Sequence, residues 1–401
     1  MFLTTSFWCL MAFVGYTYAG YPLFLIGAAW LRSRPVRRED SFRPSVSFVI
    51  SAFNEEAGIV RRLEELLQQL QTAAVPGEVI VVSDGSTDRT ARAALSVSGG
   101  QVRVLELSHN VGKAAALTQG CAVARHEILV FADARQHWAP DALRLLLENF
   151  ADPKVGAVTG DLTLEAMPGV QAGVGLYWRY EKLLRRLESR IHSTVGVTGA
   201  IAAVRRPLFR PIPPGTLLDD VYWPLQVVRQ EYRVIHDGRA RAFDRLPEHP
   251  GDEFRRKLRT LTGNFQLLRR LPAVLVPWHN PVWWQFLSHK VFRLLAPWAL
   301  LTLLGLSLHL PGTTYELLFW AQLGFYSLAL LGMTRVGAAV RPAGAAGSFV
   351  MLNAAAWLAF WHWLLGRSTV LWSKSTYTAK ASLKHLDPEP MLLGTIGDTR
   401  G

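Results

Sequence analysis

A short run of β-branched residues that ends in a carboxylate restricts the fold of this chain more than any other stretch. Residues 79–82 have the length and composition of a strand buried in a parallel sheet. Asp84 follows, and a carboxylate at the carboxyl end of such a strand lies where open α/β sheets bind ligands. Gly85 permits a tight turn, and Ser86 or Thr87 is predicted to cap the next helix. Taken alone, this pattern is more typical of an ordinary turn.

Strands and helices alternate through the surrounding region. The predicted strands cover residues 46–51, 79–82, 102–107 and 128–132, and the predicted helices cover 56–70, 90–96, 113–124 and 140–150. Alternation at this spacing specifies a parallel sheet covered by helices on both faces, so the predicted fold class is α/β. Residues 157–245 are less regular and carry a long amphipathic helix over 174–189.

The amino terminus has the pattern of a membrane anchor. Half of the 401 residues are hydrophobic and the mean hydropathy is +0.16, which predicts a membrane portion. Residues 6–30 contain no charge and are followed by several arginines. A cleaved signal peptide is disfavoured because the stretch is long and lacks a basic region before it. We therefore expect residues 1–34 to be a transmembrane anchor and the next domain to be cytoplasmic, by the positive-inside rule.

The carboxyl-terminal part is also apolar. A Trp-rich segment at 280–293 suits a helix in the membrane interface. A membrane region is predicted over 294–370, with apolar segments at 294–310, 317–331 and 349–365. The first two are credible spans, and the third is either a span or a partly embedded helix. Three spans would place the polar tail at 371–401 outside, whereas its basic residues favour the cytoplasm, and the sequence leaves this open.

The charge balance favours a membrane or phosphate partner. Lys and Arg number 43 against 31 Asp and Glu, which gives a net charge of +12. No basic helix or aromatic-interleaved motif supports a nucleic-acid partner. Anionic lipid, or a substrate that carries phosphates, explains the excess better. Cys9 and Cys121 are too few for a disulfide framework or a metal site.

Four polar motifs follow strands or open helices in the α/β part. They are residues 51–56, Asp84-Gly85-Ser86, residues 110–113, and Asp133-Ala134-Arg135. Each alone is explained by a helix cap or a solvated turn. The motif that ends in Lys113 places backbone amides and an ammonium where an anion could bind. Together, at one edge of a sheet, the four motifs predict a pocket for a nucleotide diphosphate.

The order of these motifs resembles the GT-A catalytic domain of membrane-bound family 2 glycosyltransferases. That group includes the hyaluronan, cellulose and poly-N-acetylglucosamine synthases and ceramide glucosyltransferase. The resemblance covers residues 44–270, and the apolar flanks agree with it. It implies a Rossmann-like GT-A domain between an amino-terminal transmembrane helix and carboxyl-terminal ones. It also implies an integral protein of the bacterial inner membrane with a cytoplasmic catalytic domain.

The resemblance assigns roles to matching residues. The residues implied to bind the donor are Ala52, Asn54, Glu55, Asp84, Lys113, Asp133, Arg135, Arg256 and Arg259, and Asp133 is also the implied metal ligand. The implied acceptor-side loop is Thr198-Gly199-Ala200. Asp219 and Asp220 resemble the acidic pair whose second member is the catalytic base. Arg256 and Arg259, followed by Gly263, resemble the motif that closes over the donor.

The chemistry of these roles is coherent. A sugar hydroxyl is a poor nucleophile, so a carboxylate must accept its proton as it attacks the anomeric carbon. Asp220 is predicted to do this, and Asp219 is predicted to raise its pKa by like-charge repulsion. The alternative for this pair is the first turn of a helix, where acids are favoured. Arg256 and Arg259 suit the charge that develops on the leaving diphosphate.

Two positions depart from the family pattern. Arg135 replaces the second acid of Asp-x-Asp and removes one hard oxygen ligand for Mg²⁺ or Mn²⁺. Either Asp133 and the donor phosphates hold the metal, or Arg135 partly substitutes for it. Thr260 stands where the family has a Trp near the acceptor, which weakens the case for a processive polymerase. Trp223 supplies an aromatic platform or belongs to the core.

The predicted function is that of an inverting glycosyltransferase. It moves a sugar from a nucleotide sugar, with a UDP-sugar as the favoured donor, to a polysaccharide or lipid acceptor at the membrane. Processive synthesis and the addition of one sugar to a lipid are both open. A further alternative is a non-catalytic membrane scaffold that retains the fold, which only the altered Asp-x-Asp supports. The sequence leaves open whether an accessory subunit is needed.

Overall fold

A computed structural model describes residues 1–97, 99–165, 172–245, 250–334 and 336–367 of the chain. The polar tail predicted at 371–401 lies outside these residues. The predicted α/β class is confirmed, and apolar helices flank the α/β part at both ends.

Strands alternate with helices in the order that the sequence predicts. In the described part of the chain, eight strands form one sheet: β1 (Val46–Ala52), β2 (Gly77–Asp84), β3 (Val102–Leu107), β4 (Ile128–Ala132), β5 (His137–Trp138), β6 (Val155–Glu165), β7 (Ile201–Arg205) and β8 (Arg233–Arg245). The helices are α1 (Phe2–Gly15), α2 (Tyr21–Leu31), α3 (Ile59–Ala73), α4 (Thr90–Leu95), α5 (Lys113–Val123), α6 (Ala142–Leu147), α7 (Ala172–Ile191), α8 (Asp219–Arg229), α9 (Pro250–Arg270), α10 (Trp283–Phe286), α11 (Phe292–His309), α12 (Thr313–Gly332) and α13 (Arg341–Leu364). The bounds of β3 and β4 are those that the sequence predicts.

The sheet is mixed, with strand order β3-β2-β1-β4-β7-β6-β8-β5. The first four strands are parallel, but β7 runs antiparallel to β4 and to β6, and β6 is parallel to β8. The prediction of a parallel sheet for these four strands is therefore confirmed, and the antiparallel strand β7 lies in the stretch whose sequence pattern is less regular. Parallel neighbours need a crossover connection, and here β6 and the long helix α7 intervene before the chain returns as β7 in the opposite direction.

The parallel half of the sheet is buried on both faces. Every residue of β1 is buried. Phe48 and Ile50 pack in one cluster with the apolar stripe of α3. Val49, which points to the opposite face because successive strand residues alternate, packs in a second cluster with α5. This two-sided packing fixes the strand ends that carry the polar motifs.

Three helices among the described residues are long and apolar enough to cross a membrane. They are Phe2–Leu31, in which a π-helical turn joins α1 to α2, Trp283–His309 and Arg341–Leu364. The helix α12, predicted to be a more credible span than α13, is not among them. Glu316 and Gln322 lower the mean hydropathy of α12.

The Trp-rich segment predicted as a separate interfacial helix at 280–293 is not a separate element. A π-helical turn over Leu287–Val291 joins α10 to α11, so the segment opens the continuous helix Trp283–His309. No Pro or Gly separates the two parts, and this absence of breaker residues agrees with a helix that continues through the π-turn.

The helix α13 contacts both the apolar helices and the α/β part. Phe265 of α9 stacks against Trp363, with ring centroids 5.8 Å apart. The Tyr18 hydroxyl donates a hydrogen bond of 3.0 Å to the Asn353 side chain. Asn353, a polar residue within α13, is therefore paired with another apolar helix.

Gly85 provides a test of the turn after β2. Its φ is +64°, and an added Cβ would lie 2.4 Å from the Asn110 backbone nitrogen. Gly85→Ala is expected to destabilise the protein by about 3 kcal/mol, through backbone strain and this clash. Gly58→Ala is the matched control, since an added Cβ there meets nothing within 4 Å. Thermal denaturation of the full chain measures both, and equal melting temperatures would contradict the role of Gly85.

Candidate active site

The loops after β1 and β2 are bonded to each other. Asn54, at φ +55°, accepts the Thr87 N–H on its side-chain oxygen at 2.8 Å. The Asn54 N–H donates to the Ser86 hydroxyl at 3.1 Å, and the Glu55 N–H donates to the Thr90 hydroxyl at 2.7 Å. Two predicted donor-site residues, Asn54 and Glu55, therefore hold the loops of neighbouring strands in register.

The predicted cap of α4 is wrong. Asp88, not Ser86 or Thr87, accepts the Thr90 N–H, at 3.0 Å from its Oδ1. The Ser86 hydroxyl is engaged by the neighbouring loop, and Asp88 stands closer to the first turn of the helix. A short acid or hydroxyl can cap a helix from several positions, and the contacts between loops decide which one does so.

Asp84 is fully buried beneath the loop that leads into α5. Its Oδ1 accepts the Val111 N–H at 2.7 Å, and its Oδ2 accepts the Gly112 N–H at 2.9 Å. Burial raises the pKa of Asp84, and these two backbone donors oppose the rise. Asp84 thus fixes the backbone just before Lys113. An open groove beside it is lined by Gly85, Ser86, Thr87, Glu106, Leu107 and Ser108.

Ala52 is fully buried in the core beside these loops, and its role in donor binding stays a prediction. The direct contact of Asp84 with a donor stays a prediction.

Lys113 begins α5 and lies among three carboxylates. Its Nζ donates to Asp133 Oδ1 at 2.7 Å. Burial alone would lower the pKa of Lys113, but Asp133, Asp219 and Asp220 together raise it. An added Cβ on Gly199 would lie 3.0 Å from the ammonium, so the absence of a side chain there leaves room for it. The structure thus gathers residues that are far apart in the sequence around one positive charge.

Asp219 and Asp220 form the first turn of α8. Burial, and then the charge of Asp219, raise the pKa of Asp220 to about 6, while Lys113 acts in the opposite direction. Burial also raises the pKa of Asp219, and Lys113 and Arg259 oppose that rise. The helix N-terminus considered as the alternative is present, and it coexists with a raised pKa at Asp220.

The predicted arginine pair lies on α9. The Arg256 guanidinium is 5.7 Å from the centre of the Trp178 ring on α7. Arg259 is exposed, and its charge acts on the buried Asp219. The charge of Arg259 therefore acts on Asp219 from an exposed position, whereas Arg256 packs against α7.

The helix α9 also fixes the segment before α8. An added Cβ on Gly263 would lie 2.7 Å from the Leu218 side chain, so the two elements touch closely. The Gln266 side chain accepts the Leu217 N–H at 2.9 Å. Gly263, which follows the arginine pair, thus lets α9 pack closely against the segment that leads into Asp219.

The predicted acceptor-side residues are mostly buried. The Thr198 N–H donates to the Thr159 hydroxyl at 3.0 Å, and the Ala200 carbonyl accepts the Trp138 indole N–H at 2.9 Å. Of these three described loop residues, Gly199 borders the recess that Lys113, Asp133 and Asp219 line. Ala200 lies in the core, so a contact of its side chain with an acceptor is not possible.

Trp223 borders the same recess but is only 2% exposed. Its ring centre lies 5.3 Å from that of Phe131. The core alternative describes Trp223, and the interpretation as an exposed platform for an acceptor sugar is wrong. An indole on the inner face of a helix is buried by its neighbours on the sheet, which the sequence pattern alone does not reveal.

The altered Asp-x-Asp motif does not by itself make a metal site. Asp133 directs Oδ1 at Lys113, and the Arg135 guanidinium is exposed, 4.0 Å from Asp244. No group of three His, Cys, Asp or Glu side chains in the described ranges is placed to hold a metal ion. These residues fit a divalent cation only if the phosphate oxygens of a donor supply further ligands.

Arg62 is a supporting residue that the sequence patterns did not single out. It is 2% exposed and donates to the Asp133 carbonyl at 3.1 Å. It also donates to Glu65 at 2.7 Å, and Glu65 accepts the Trp138 N–H at 2.6 Å. The sequence signal for Arg62 was its position next to the apolar stripe of α3. A charged residue at such a position is buried when it forms an ion pair.

Comparison with known proteins places the part of this site that holds Lys113 and Asp133 in a recognised domain, and Asp219 and Asp220 lie just beyond the matched range. Residues 47–212 match the profile of glycosyl transferase family 2. The poly-beta-1,6-N-acetyl-D-glucosamine synthase of Staphylococcus aureus (strain COL) is 25% identical over 238 residues, which is 56% of each chain. The protein of the same name from Staphylococcus epidermidis is 24% identical over 264 residues, or 62% of each. The chain thus spans about three-fifths of the length of these curated relatives.

A solved structure shares the fold over most of the chain. It is a mannosyltransferase from Pyrobaculum calidifontis in complex with GDP-Man and Mn²⁺, with a TM-score of 0.63 and 22% identity. The similarity covers 90% of this chain and 99% of that one. The predicted GT-A fold is confirmed.

Proposed function

Residues 47–212 form a glycosyl transferase family 2 domain, and from this premise we propose that the chain is an inverting glycosyltransferase. It transfers a sugar from a nucleotide sugar, with a UDP-sugar as the favoured donor, to an acceptor at the membrane. The observation that carries the proposal is the Lys113 ammonium among Asp133, Asp219 and Asp220. At this edge of the sheet, the ammonium supplies a binding group for a diphosphate, and the acids supply a base.

The donor lies across the carboxyl ends of the parallel strands. Its base and ribose occupy the groove beside Gly85 and Thr87, near Asn54 and above the loop that Asp84 fixes. Its diphosphate meets Lys113 at the N-terminus of α5, where free backbone N–H groups and the helix dipole favour an anion. Arg259 approaches from α9 and stabilises the charge that the leaving diphosphate gains.

Transfer is a single displacement. The acceptor hydroxyl attacks the anomeric carbon from the side opposite the diphosphate, and its proton passes to Asp220. The bond between the anomeric carbon and the phosphate oxygen breaks, and its electron pair leaves with the nucleoside diphosphate. A base with a pKa of about 6 is mostly ionised at neutral pH and still attracts a proton.

The prediction of a divalent metal is retained, with the donor phosphates as part of the ligand set. A divalent ion would be held by Asp133 together with the donor phosphates, and when bound it would neutralise charge on the diphosphate. The donor set of the protein alone is incomplete, because Arg135 replaces the second acid and Lys113 takes one Asp133 oxygen. The alternative is that Arg135 supplies part of this positive charge.

Both acceptor classes have support. The names of the curated relatives favour a polysaccharide. The addition of one sugar to a lipid is favoured by Thr260, whose hydroxyl bonds the Arg256 carbonyl, and by the burial of Trp223. The intact cluster of Lys113 and the three acids argues against a non-catalytic scaffold. We also propose that the protein lies in the inner membrane with its catalytic domain in the cytoplasm. An accessory subunit is a further proposal.

Asp220 provides the principal test. Asp220→Asn is expected to lower kcat by about 10²- to 10⁴-fold, because the base is lost, and to leave nucleotide-sugar binding unchanged. In the unaltered protein, kcat should rise with pH through about 6 and level off above it, since only the ionised carboxylate accepts a proton. Steady-state transfer rates with a labelled donor measure both effects. Asp141→Asn, an acid outside the site, is the control, and unchanged turnover in Asp220→Asn would remove the assignment.

Arg135 provides a test of the metal site. Mn²⁺ is expected to bind the full chain weakly without nucleotide and more tightly with UDP, because the phosphates complete the ligand set. Arg135→Asp should strengthen binding without nucleotide by about tenfold, since it restores a hard oxygen ligand. Electron paramagnetic resonance of free Mn²⁺ measures this without reference to activity. Transfer that persists in excess chelator would contradict the metal and favour Arg135 as the compensating charge.

A further inference from the structure

A buried strap, residues 193–198, leads from α7 to the predicted acceptor-side loop. It has no regular secondary structure, yet every one of its residues is buried. The backbone groups of such a segment need hydrogen-bond partners within the protein. The Thr194 N–H donates to the Val234 carbonyl of β8 at 2.9 Å. The Thr198 N–H donates to the Thr159 hydroxyl of β6 at 3.0 Å. The strap is therefore fixed to two strands of the sheet.

The middle of the strap lies directly against the proposed catalytic base. The Val197 N–H donates to the Asp220 backbone carbonyl at 2.9 Å. An added Cβ on Gly196 would lie 3.2 Å from the Val221 side chain and 3.5 Å from the same carbonyl. The strap thus touches the first turn of α8 without an intervening side chain. Because the carbonyl and the carboxyl belong to one residue, a shift of the strap would move the base.

Glu188 connects the strap to the apolar helices. Its carboxylate is fully buried, and Oε2 accepts the Val195 N–H in a long hydrogen bond of 3.5 Å. Its Oε1 accepts the Tyr21 hydroxyl at 2.7 Å and lies 2.7 Å from His289 Nδ1. Tyr21 and His289 belong to two helices that are long and apolar enough to cross a membrane. One carboxylate therefore contacts both of these helices and the strap.

We propose that Glu188 and the strap are positioning elements for Asp220, through which the two apolar helices set the place of the base. This inference rests on the proposed function and adds a structural control of its site. The acceptor is proposed to lie at the membrane, and a base held from the membrane helices keeps a fixed place relative to it. Neither Glu188 nor the strap takes up a proton or forms a bond in the reaction. A displacement of the base by about 1 Å can lower the rate by about 10²-fold.

Glu188→Gln separates the two sides of this connection. The amide oxygen can still accept from Tyr21 and His289, whereas the amide NH₂ group cannot accept the Val195 N–H. We expect kcat to fall at least about tenfold, with the donor KM and the affinity for UDP changed by less than about twofold. Steady-state transfer by the full chain in lipid vesicles measures kcat and KM, and titration calorimetry measures UDP binding.

Tyr180→Phe is the matched control for this variant. It removes a hydrogen bond of 3.0 Å from α7 to the Tyr18 carbonyl, elsewhere at the same junction, and should keep the kcat of the unaltered chain. Unchanged kcat in Glu188→Gln would overturn the proposal. A loss of kcat accompanied by an equal loss of UDP affinity would also overturn it, since general damage to the fold would then explain both.

Hydrogen exchange distinguishes failure of this proposal from failure of the proposed function, because it needs no turnover. Glu188→Gln is expected to speed exchange in peptides that cover the strap at least about tenfold, and Tyr180→Phe is not, because a strap that loses a buried partner opens more often. Faster exchange with unchanged kcat would refute the positioning of Asp220 and leave the glycosyltransferase intact. No transfer by the unaltered chain from any nucleotide sugar would refute the proposed function, whereas unchanged exchange would refute the connection through Glu188.

Gly196→Ala keeps the proposal testable if Glu188→Gln does not fold. The added Cβ would press on the first turn of α8, so we expect kcat to fall at least about fivefold with little change in the donor KM. Gly27→Ala is its control, since an added Cβ there meets nothing within 4 Å. Equal kcat values in these two variants would contradict the role of the strap.

Discussion

The ion pair between Lys113 and Asp133 is the interaction on which the candidate site depends. Asp84 positions this ion pair. Its buried carboxylate accepts the Val111 and Gly112 N–H groups and so fixes the backbone that carries Lys113. The Lys113 ammonium also allows Asp219 and Asp220 to lie close together. Carboxylates gathered in a partly buried recess would repel one another without a shared cation. The strand ends, the loop before α5 and the start of α8 are thus coupled through one ammonium group.

The sequence predicted the parts of the site that local patterns specify. Strands β3 and β4 begin and end where their apolar runs do, and the polar motifs occupy the predicted sheet edge. Contacts between distant segments were not predictable in this way. The bond from the Thr90 N–H to Asp88 depends on a neighbouring loop that occupies Ser86, and the burial of Trp223 depends on Phe131 across the core. The reversed direction of β7 depends on the path of a long irregular segment. Helical periodicity also could not show that residues 283–309 form one helix, because a π-turn shifts the phase without any breaker residue.

The junction between α7 and the apolar helices has consequences for both halves of the protein. Breaking a buried ion pair by removing one partner leaves the other charge uncompensated, which is strongly unfavourable. The ion pair of Arg293 with Glu181 and the hydrogen bonds of His289 with Glu181 and Glu188 therefore connect the α/β part firmly to the helix Trp283–His309.

The central claim is that Asp220 acts as a base in a single displacement across the Lys113 cluster. Nuclear magnetic resonance of the product, formed from a donor sugar of known α configuration, tests this most directly. A single displacement predicts that the new linkage is β, because the acceptor attacks opposite the leaving diphosphate. A product with retained α configuration would contradict the account, since it would require the donor to react by a different geometry in which Asp220 has no role as the base.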